Sequence, residues 1–174
     1  MLSDNQTDRF QQTPLRALFI DELETIYWVE NHLSKSLPLL REKTNSEETR
    51  EAYRNHMKSI KENIKRLEKI FIIAGLRPKG KVSNPTVEIL KNCNEIVNQT
   101  TNDGMARESG LLIYGQKLAH YKTACYGALA TLAKTIQLDD VPAILKIIIQ
   151  EEKSMGTLLY AIGESHINLS KNEP

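Results

Sequence analysis

Apolar residues recur along this chain at offsets of three and four, the spacing that gathers side chains on one face of an α-helix. The most regular stripe reads Tyr53, Met57, Ile60, Ile64, Leu67, Phe71 and Ala74. Three further stripes share the period, and a charge interrupts each near its middle. Glu30 falls among Leu23, Ile26, Leu33 and Leu37; Lys122 among Leu118, Cys125, Leu129 and Leu132; Glu152 among Ile148, Met155, Leu159 and Ile162. No segment alternates apolar and polar residues as a half-buried strand does. The pattern predicts an all-α chain built on four long helices.

Caps and breakers place the boundaries. Residues 1–12 are polar and are expected to form a flexible lead. Thr13-Pro14 reads as an N-cap with proline at the first helical position, and this helix should run to about Lys43, with Pro38 kinking it or ending it early. After the short connection Thr44-Asn45-Ser46, Glu47 and Glu48 put acids in the first turn of a second helix that should close at Gly75. Residues 76–83 form a linker, and Asn84-Pro85 starts a shorter helix through about Thr100. Asn102-Asp103-Gly104 breaks the chain again. A third long helix is expected over about Met105 to Thr135, and a fourth from the Leu138-Asp139-Asp140 connection, with Asp140 as N-cap, to about Leu169. Residues 13–169 thus make one helical bundle domain, and 170–174 a frayed tail. Two helical hairpins joined by one long crossover with a short extra helix form the ferritin-like arrangement.

The 174 residues suit a single domain. At 40% hydrophobic and 26% charged, the chain can bury a core without disulfides or a structural metal. Its 23 Lys+Arg nearly balance 22 Asp+Glu, so charge gives no reason to expect nucleic acid or an anionic membrane as partner. The apolar run around Ile147-Ile148-Ile149 is far too short to span a bilayer. Cys93 and Cys125 form no paired motif, and no N-terminal apolar run marks secretion, so the expected location is the cytoplasm.

The three interrupting charges carry the chemistry. Each stands on the buried face of its helix, and an unpaired charge there is very costly, so these groups must meet each other, a metal or water. Carboxylates projecting inward from facing helices are how bundles build metal sites. A lysine in the same layer argues against one.

Several segments, each in its place in the helix order, resemble the YciF-like family of bacterial ferritin-like proteins. They are Leu15-Arg16-Ala17-Leu18-Phe19 with Asp21-Glu22-Leu23, Tyr27 with Glu30, and His56 leading to Arg66-Leu67-Glu68. The fullest match is Gln116-Lys117-Leu118 with His120-Tyr121, followed by Tyr126-Gly127-Ala128-Leu129-Ala130-Thr131-Leu132-Ala133, and Glu151-Glu152-Lys153 completes the set. The resemblance implies a compact four-helix bundle that pairs as a dimer, a candidate di-iron site and an association with bacterial stress responses. The chain departs from the family pattern where the metal would be. The Glu-x-x-His positions of the second helix are Lys58 and Lys61, and the glutamates that flank His-Tyr in the family are Ala119 and Lys122.

Two readings follow. In the favoured one, Lys122 pairs internally with Glu30 and Glu152, no metal or other cofactor is bound, and the chain is a non-catalytic, stress-associated structural or interaction protein with a degenerate di-metal site. In the alternative, Glu30, Glu151 and Glu152 with His56 or His120 retain iron, and the chain is a di-iron oxidoreductase or ferroxidase-type protein. His56 and His120 lack a carboxylate three residues earlier and read instead as helix–helix hydrogen-bonding groups. Tyr53, Tyr114, Tyr121 and Tyr126 read as core fillers, Cys125 as an inert core residue, and His32 and His166 as peripheral. Apolar residues outside the stripes, such as Ile72, Ile113 and Ile149, point to a homodimer.

Overall fold

The computed structural model describes residues 13–170, and the flexible lead expected over 1–12 and the tail from 171 onward lie outside the described residues. Five helices follow one another: α1 Pro14–Arg41, α2 Glu47–Ile73, α3 Asn84–Gln99, α4 Gly104–Thr135 and α5 Val141–Ser170. Four of the starts are capped by the residue just before the helix. Thr13 accepts from the Arg16 N–H, Ser46 from Thr49, Ser83 from Thr86 and Asp103 from Ala106. Each cap satisfies a backbone donor that the helix leaves free. Pro38 does not end α1, which continues to Arg41, and its carbonyl accepts from the Glu42 N–H. α5 runs one residue past its expected end, through Ser170.

Two helices close in the same way. Ala74 ends α2, and Gly75 follows with φ +71°, while the Leu76 N–H reaches back to the Phe71 carbonyl at 2.8 Å and Gly75 N–H to Ile72 at 3.0 Å. α4 repeats the motif with Gln137, at φ 61°, in the glycine position: Leu138 N–H donates to Ala133 at 2.9 Å and Gln137 N–H to Lys134 at 3.2 Å. Both are left-handed caps that satisfy orphan carbonyls.

The four long helices pack as a ring in which α1 touches α2, α2 touches α5, α5 touches α4 and α4 touches α1, while α3 lies on α4. The connections 42–46 and 136–140 are short, so each hairpin is antiparallel. The crossover from α2 to α4 is pinned on its way. Lys81 N–H donates to the Glu24 carbonyl at 3.0 Å, and Gly80 passes so close to α1 that a Cβ there would stand 3.2 Å from that of Trp28. Ser83 and Tyr121 hydroxyls meet at 2.9 Å, which ties the start of α3 to α4. Inside the ring, the main apolar cluster buries Phe19, Leu33, Phe71, Leu129, Leu145 and their neighbours, and a second, smaller cluster gathers Ala52, Leu112, Ala119, Met155, Leu159 and Ile162. Among the described residues no helix is long and apolar enough to cross a membrane.

Gln137 carries a backbone conformation that costs about 1–2 kcal/mol for a residue with a Cβ, part of which glycine gives back as unfolded-chain entropy. Gln137→Gly should therefore stabilise the fold by about 0.5–1 kcal/mol, read as a higher denaturant midpoint at unchanged slope.

Candidate functional site

Halfway along the bundle the apolar core gives way to one polar layer. α1 supplies Glu30, α2 supplies His56 and Asn63, α4 supplies Lys122 and Tyr126, and α5 supplies Glu152. None of these side chains is more than 2% exposed, so the layer is dry. Each sits on its helix's apolar stripe, which is why the period that buries the neighbouring leucines also buries these polar groups.

Lys122 is the hub. Its Nζ lies 2.5 Å from Glu152 Oε1, 3.1 Å from Glu30 Oε1 and 3.4 Å from His56 Nε2. The Tyr126 hydroxyl donates to Glu30 Oε1. Asn63 Nδ2 bridges the carboxylates, 3.3 Å from Glu30 and 3.5 Å from Glu152. His56 Nε2 lies 3.3 Å from Glu152 Oε2, close enough for an ion pair, but that oxygen makes no well-aligned hydrogen bond. Glu30 Oε2 and His56 Nδ1 are also buried without a hydrogen-bond partner.

The electrostatics follow from these distances. Burial pulls the Lys122 amine down, but the two carboxylates outweigh it and hold its pKa above the ordinary lysine value. Burial works against charge on Glu152 too, yet the Lys122 ammonium and His56 overcome it and hold this carboxyl down to about 2. Glu30 moves the other way. Burial pushes it up, and the Lys122 ammonium offsets only part of that and of the repulsion from Glu152. The difference between the two acids has a geometric cause: Glu30 is the one farther from the ammonium and has no histidine beside it. Tyr126 is held neutral, its pKa far above the usual value, by burial and by the charge on Glu30.

Other expected site residues stand elsewhere. Glu151 is not an inward carboxylate; it pairs at the surface with Arg66 at 2.6 Å, because one residue on a helix turns a side chain by about 100°. Arg66 also donates to Asn63 Oδ1 at 2.8 Å, linking the surface pair to the buried layer. His120 is exposed on α4, with no hydrogen-bond partner among the described residues, and does not join helices as expected. Lys58 and Lys61 are exposed, Lys58 bonding Asn55 at 3.1 Å, so these lysines do not occupy the layer; Ala119 is buried but offers no polar atom. Of the four departures from the family pattern, only Lys122 stands at the centre. Tyr53 donates to the Leu111 carbonyl at 2.6 Å; Tyr114 is half-buried under Lys117, and Tyr121 is half-buried against Ser83. Cys125 is half-buried beside Tyr121, and burial pushes its thiol up.

Sequence reasoning passed over two residues, Asn63 and Glu108. Asn63 lies at offsets of three and four from Ile60 and Leu67, so its place on the stripe was a readable signal. His56, read as a helix–helix hydrogen-bonding group or an alternative ligand, falls on the same stripe, four residues before Ile60, and lies 3.4 Å from Lys122 Nζ on a facing helix. Glu108 is a second buried carboxylate, held by the Thr44 hydroxyl at 2.6 and 2.7 Å and by the Asn45 N–H at 3.0 Å. Nothing local marks it, since its partners lie in the α1–α2 connection.

The donor set does not fit a di-metal group. The three ligand-type atoms that converge, from Glu30, Glu152 and His56, converge on an ammonium nitrogen. Among the described residues no group of three or more His, Cys, Asp or Glu is disposed to hold a metal ion.

Residues 14–171 match the family described as Domain of unknown function (DUF892). The chain belongs to this family. It is 26% identical over 155 residues to Protein YciF of Escherichia coli (strain K12), spanning 88% of this chain and 93% of that one. The crystal structure of the Escherichia coli stress protein YciF superposes with a TM-score of 0.84 at 26% identity, covering 90% of this chain and 98% of its own. YcfI of Rhodopseudomonas palustris shares the fold, with a TM-score of 0.80 at 24% identity over 85% of this chain and 94% of its own. The all-α bundle and its crossover are thus those of the YciF-like proteins.

Lys122→Met leaves two carboxylates facing each other in a dry core, so it should cost about 3–5 kcal/mol, less if one takes up a proton. Combining Lys122→Met with Glu30→Gln and Glu152→Gln should recover part of that loss, because the three side chains touch. Additive costs in denaturant unfolding would mean that the groups do not act together.

The pH dependence contributed by Glu152 should change sign as well. In the parent, the lowered Glu152 pKa contributes stability above its unfolded value near 4.5, lost as pH falls toward about 2. Without the ammonium, burial raises both acids, and a raised acid favours the fold more as pH falls. The deficit of Lys122→Met against the parent should therefore narrow between pH 7 and pH 4.5, as urea titrations of the two proteins can measure.

Proposed function

We propose that this chain is a non-catalytic, stress-associated structural protein that works as a homodimer, and that its central layer is a degenerate di-metal site. The observation that supports the reading most is the place of Lys122 Nζ, between Glu152 at 2.5 Å and Glu30 at 3.1 Å. A fixed internal cation fills the position where a bundle with inward carboxylates would bind a divalent one. The layer is also closed to substrate: its side chains are at most 2% exposed, and the neighbouring grooves are lined by other residues. The link to stress rests on the likeness to the stress protein YciF.

Protein purified without chelator should contain no stoichiometric iron or manganese by elemental analysis and should not oxidise ferrous iron. Two metal ions per chain with ferroxidase activity would overturn the proposal in favour of a di-iron oxidoreductase built on Glu30, Glu152 and His56.

A further inference from the structure

The 23 Lys+Arg and 22 Asp+Glu of the chain nearly cancel in total, which gave no reason to expect a polyanionic partner, but they are not evenly spread. On α2 the exposed side chains from Lys58 to Lys69 are Lys58, Lys61, Glu62, Lys65 and Lys69, so cations far outnumber acids there. The lysines recur at offsets of three and four, which sets them in one straight stripe along the outer side of the helix. At 1.5 Å per residue the stripe is about 16 Å long. The formal net charge of the whole chain is only +1, so the rest of it taken together is net negative. The neighbouring outward positions on α5, Gln150, Ser154, Thr157 and Ala161, are exposed and uncharged. Ile149, expected to add an apolar surface there, is half-buried against the core instead.

Little within the molecule neutralises the stripe. At the start of the same helix Arg50 and Arg54 each pair with a glutamate three residues earlier. That pairing lapses where the stripe begins, because Asn55 stands three residues before Lys58 and gives it only a neutral partner at 3.1 Å. Lys65 meets Glu62 at 2.8 Å, with both groups well exposed. Lys61 and Lys69 have no ion pair or hydrogen bond among the described residues. Lys35 of α1 is exposed too, and the Tyr27–Glu68 and Glu30–Asn63 contacts set it level with the start of the stripe.

The occupant follows from what the stripe has and what it lacks. A straight row of free ammonium groups on long stems suits a linear polyanion, and its length matches about five nucleotide steps of one strand at about 3.4 Å each. A membrane surface would need large apolar groups beside the cations, yet no exposed residue of α2 between Asn55 and Lys69 is apolar, and exposed Ile72 lies beyond the end. A single strand is held by stacking its bases on aromatic rings, and none of these residues is aromatic. The nearest guanidinium, Arg66, is engaged with Glu151 and Asn63, so no arginine fork is free to read base edges.

We infer that the outer face of α2 from Lys58 to Lys69 is a docking surface for the phosphate backbone of duplex nucleic acid, bound without regard to sequence. The partner lies beyond the proposed function and does not depend on what the central layer holds.

The full chain titrated into a labelled DNA duplex of about 20 base pairs, at about 50 mM salt, should give saturable binding by fluorescence anisotropy. The affinity should fall about a hundredfold by about 200 mM salt, a log–log slope of about −3 to −4 for contacts of this number. Lys61→Gln and Lys69→Gln, at exposed positions without internal partners, should each make the slope shallower by about one, equally for two unrelated sequences and with unchanged helical circular dichroism. Lys153→Gln, exposed on α5, should leave it unchanged. No saturable binding at the lower salt, or a slope indifferent to Lys61→Gln and Lys69→Gln, would overturn the proposal. So would polyglutamate displacing the duplex at equal charge concentration, in favour of an acidic protein segment, or anionic phospholipid vesicles doing so, in favour of a lipid surface.

Discussion

One ammonium group, Lys122 Nζ, sits in the dry centre of the bundle against two carboxylates. An isolated charge there would be too costly to keep, and two facing carboxylates without a cation would be worse. The layer is tolerable only when all of its members arrive together. Glu30, Lys122, Glu152, His56 and Asn63 come from all four long helices, so the layer constrains the relative height of every one of them. Leucine can slide past leucine in a bundle core at modest cost. An ion pair at 2.5 Å cannot slip by a helical turn without leaving a bare charge behind.

The rest of the architecture serves that registration. Side-chain caps fix where α1, α2, α3 and α4 begin, and left-handed caps fix where α2 and α4 end. The crossover is tied to α1 at Glu24 and Trp28 and to α4 at Tyr121, so α3 lies on α4. Glu108 ties the α1–α2 connection to the start of α4 with three hydrogen bonds at one end of the bundle. These features hold the ends of the helices, and the charge layer holds the middle.

A bundle of this shape with inward carboxylates is well suited to a metal, because metal ligation and ion pairing solve the same electrostatic problem. A lysine solves it with a covalently tethered cation that no change in metal supply can remove. The tether also removes the open coordination positions on which redox chemistry at such a site would depend. In the proposed reading, the layer keeps the structural benefit of a central cation without metal chemistry.

Much of this was legible in the residues. The stripe spacing specified the helices, the caps and breakers gave their order, and the interruption of three stripes by Glu30, Lys122 and Glu152 marked the central layer. Those signals are local and periodic, and helix formation is a local process. What the period could not give was the partner on a facing helix. Glu151 and Glu152 are adjacent in sequence, yet only Glu152 turns inward, while Glu151 meets Arg66 at the surface. His56 and His120 looked equivalent, and only His56 faces the carboxylates. Lys58, Lys61 and Lys122 all stood at positions where the family would place ligands, and only Lys122 is buried. A small rotation or shift of one helix decides each of these outcomes, and it is set by how four helices pack at once. The sequence by itself determined which residues must be helical and that charge must be buried; the tertiary packing alone decided which charges meet.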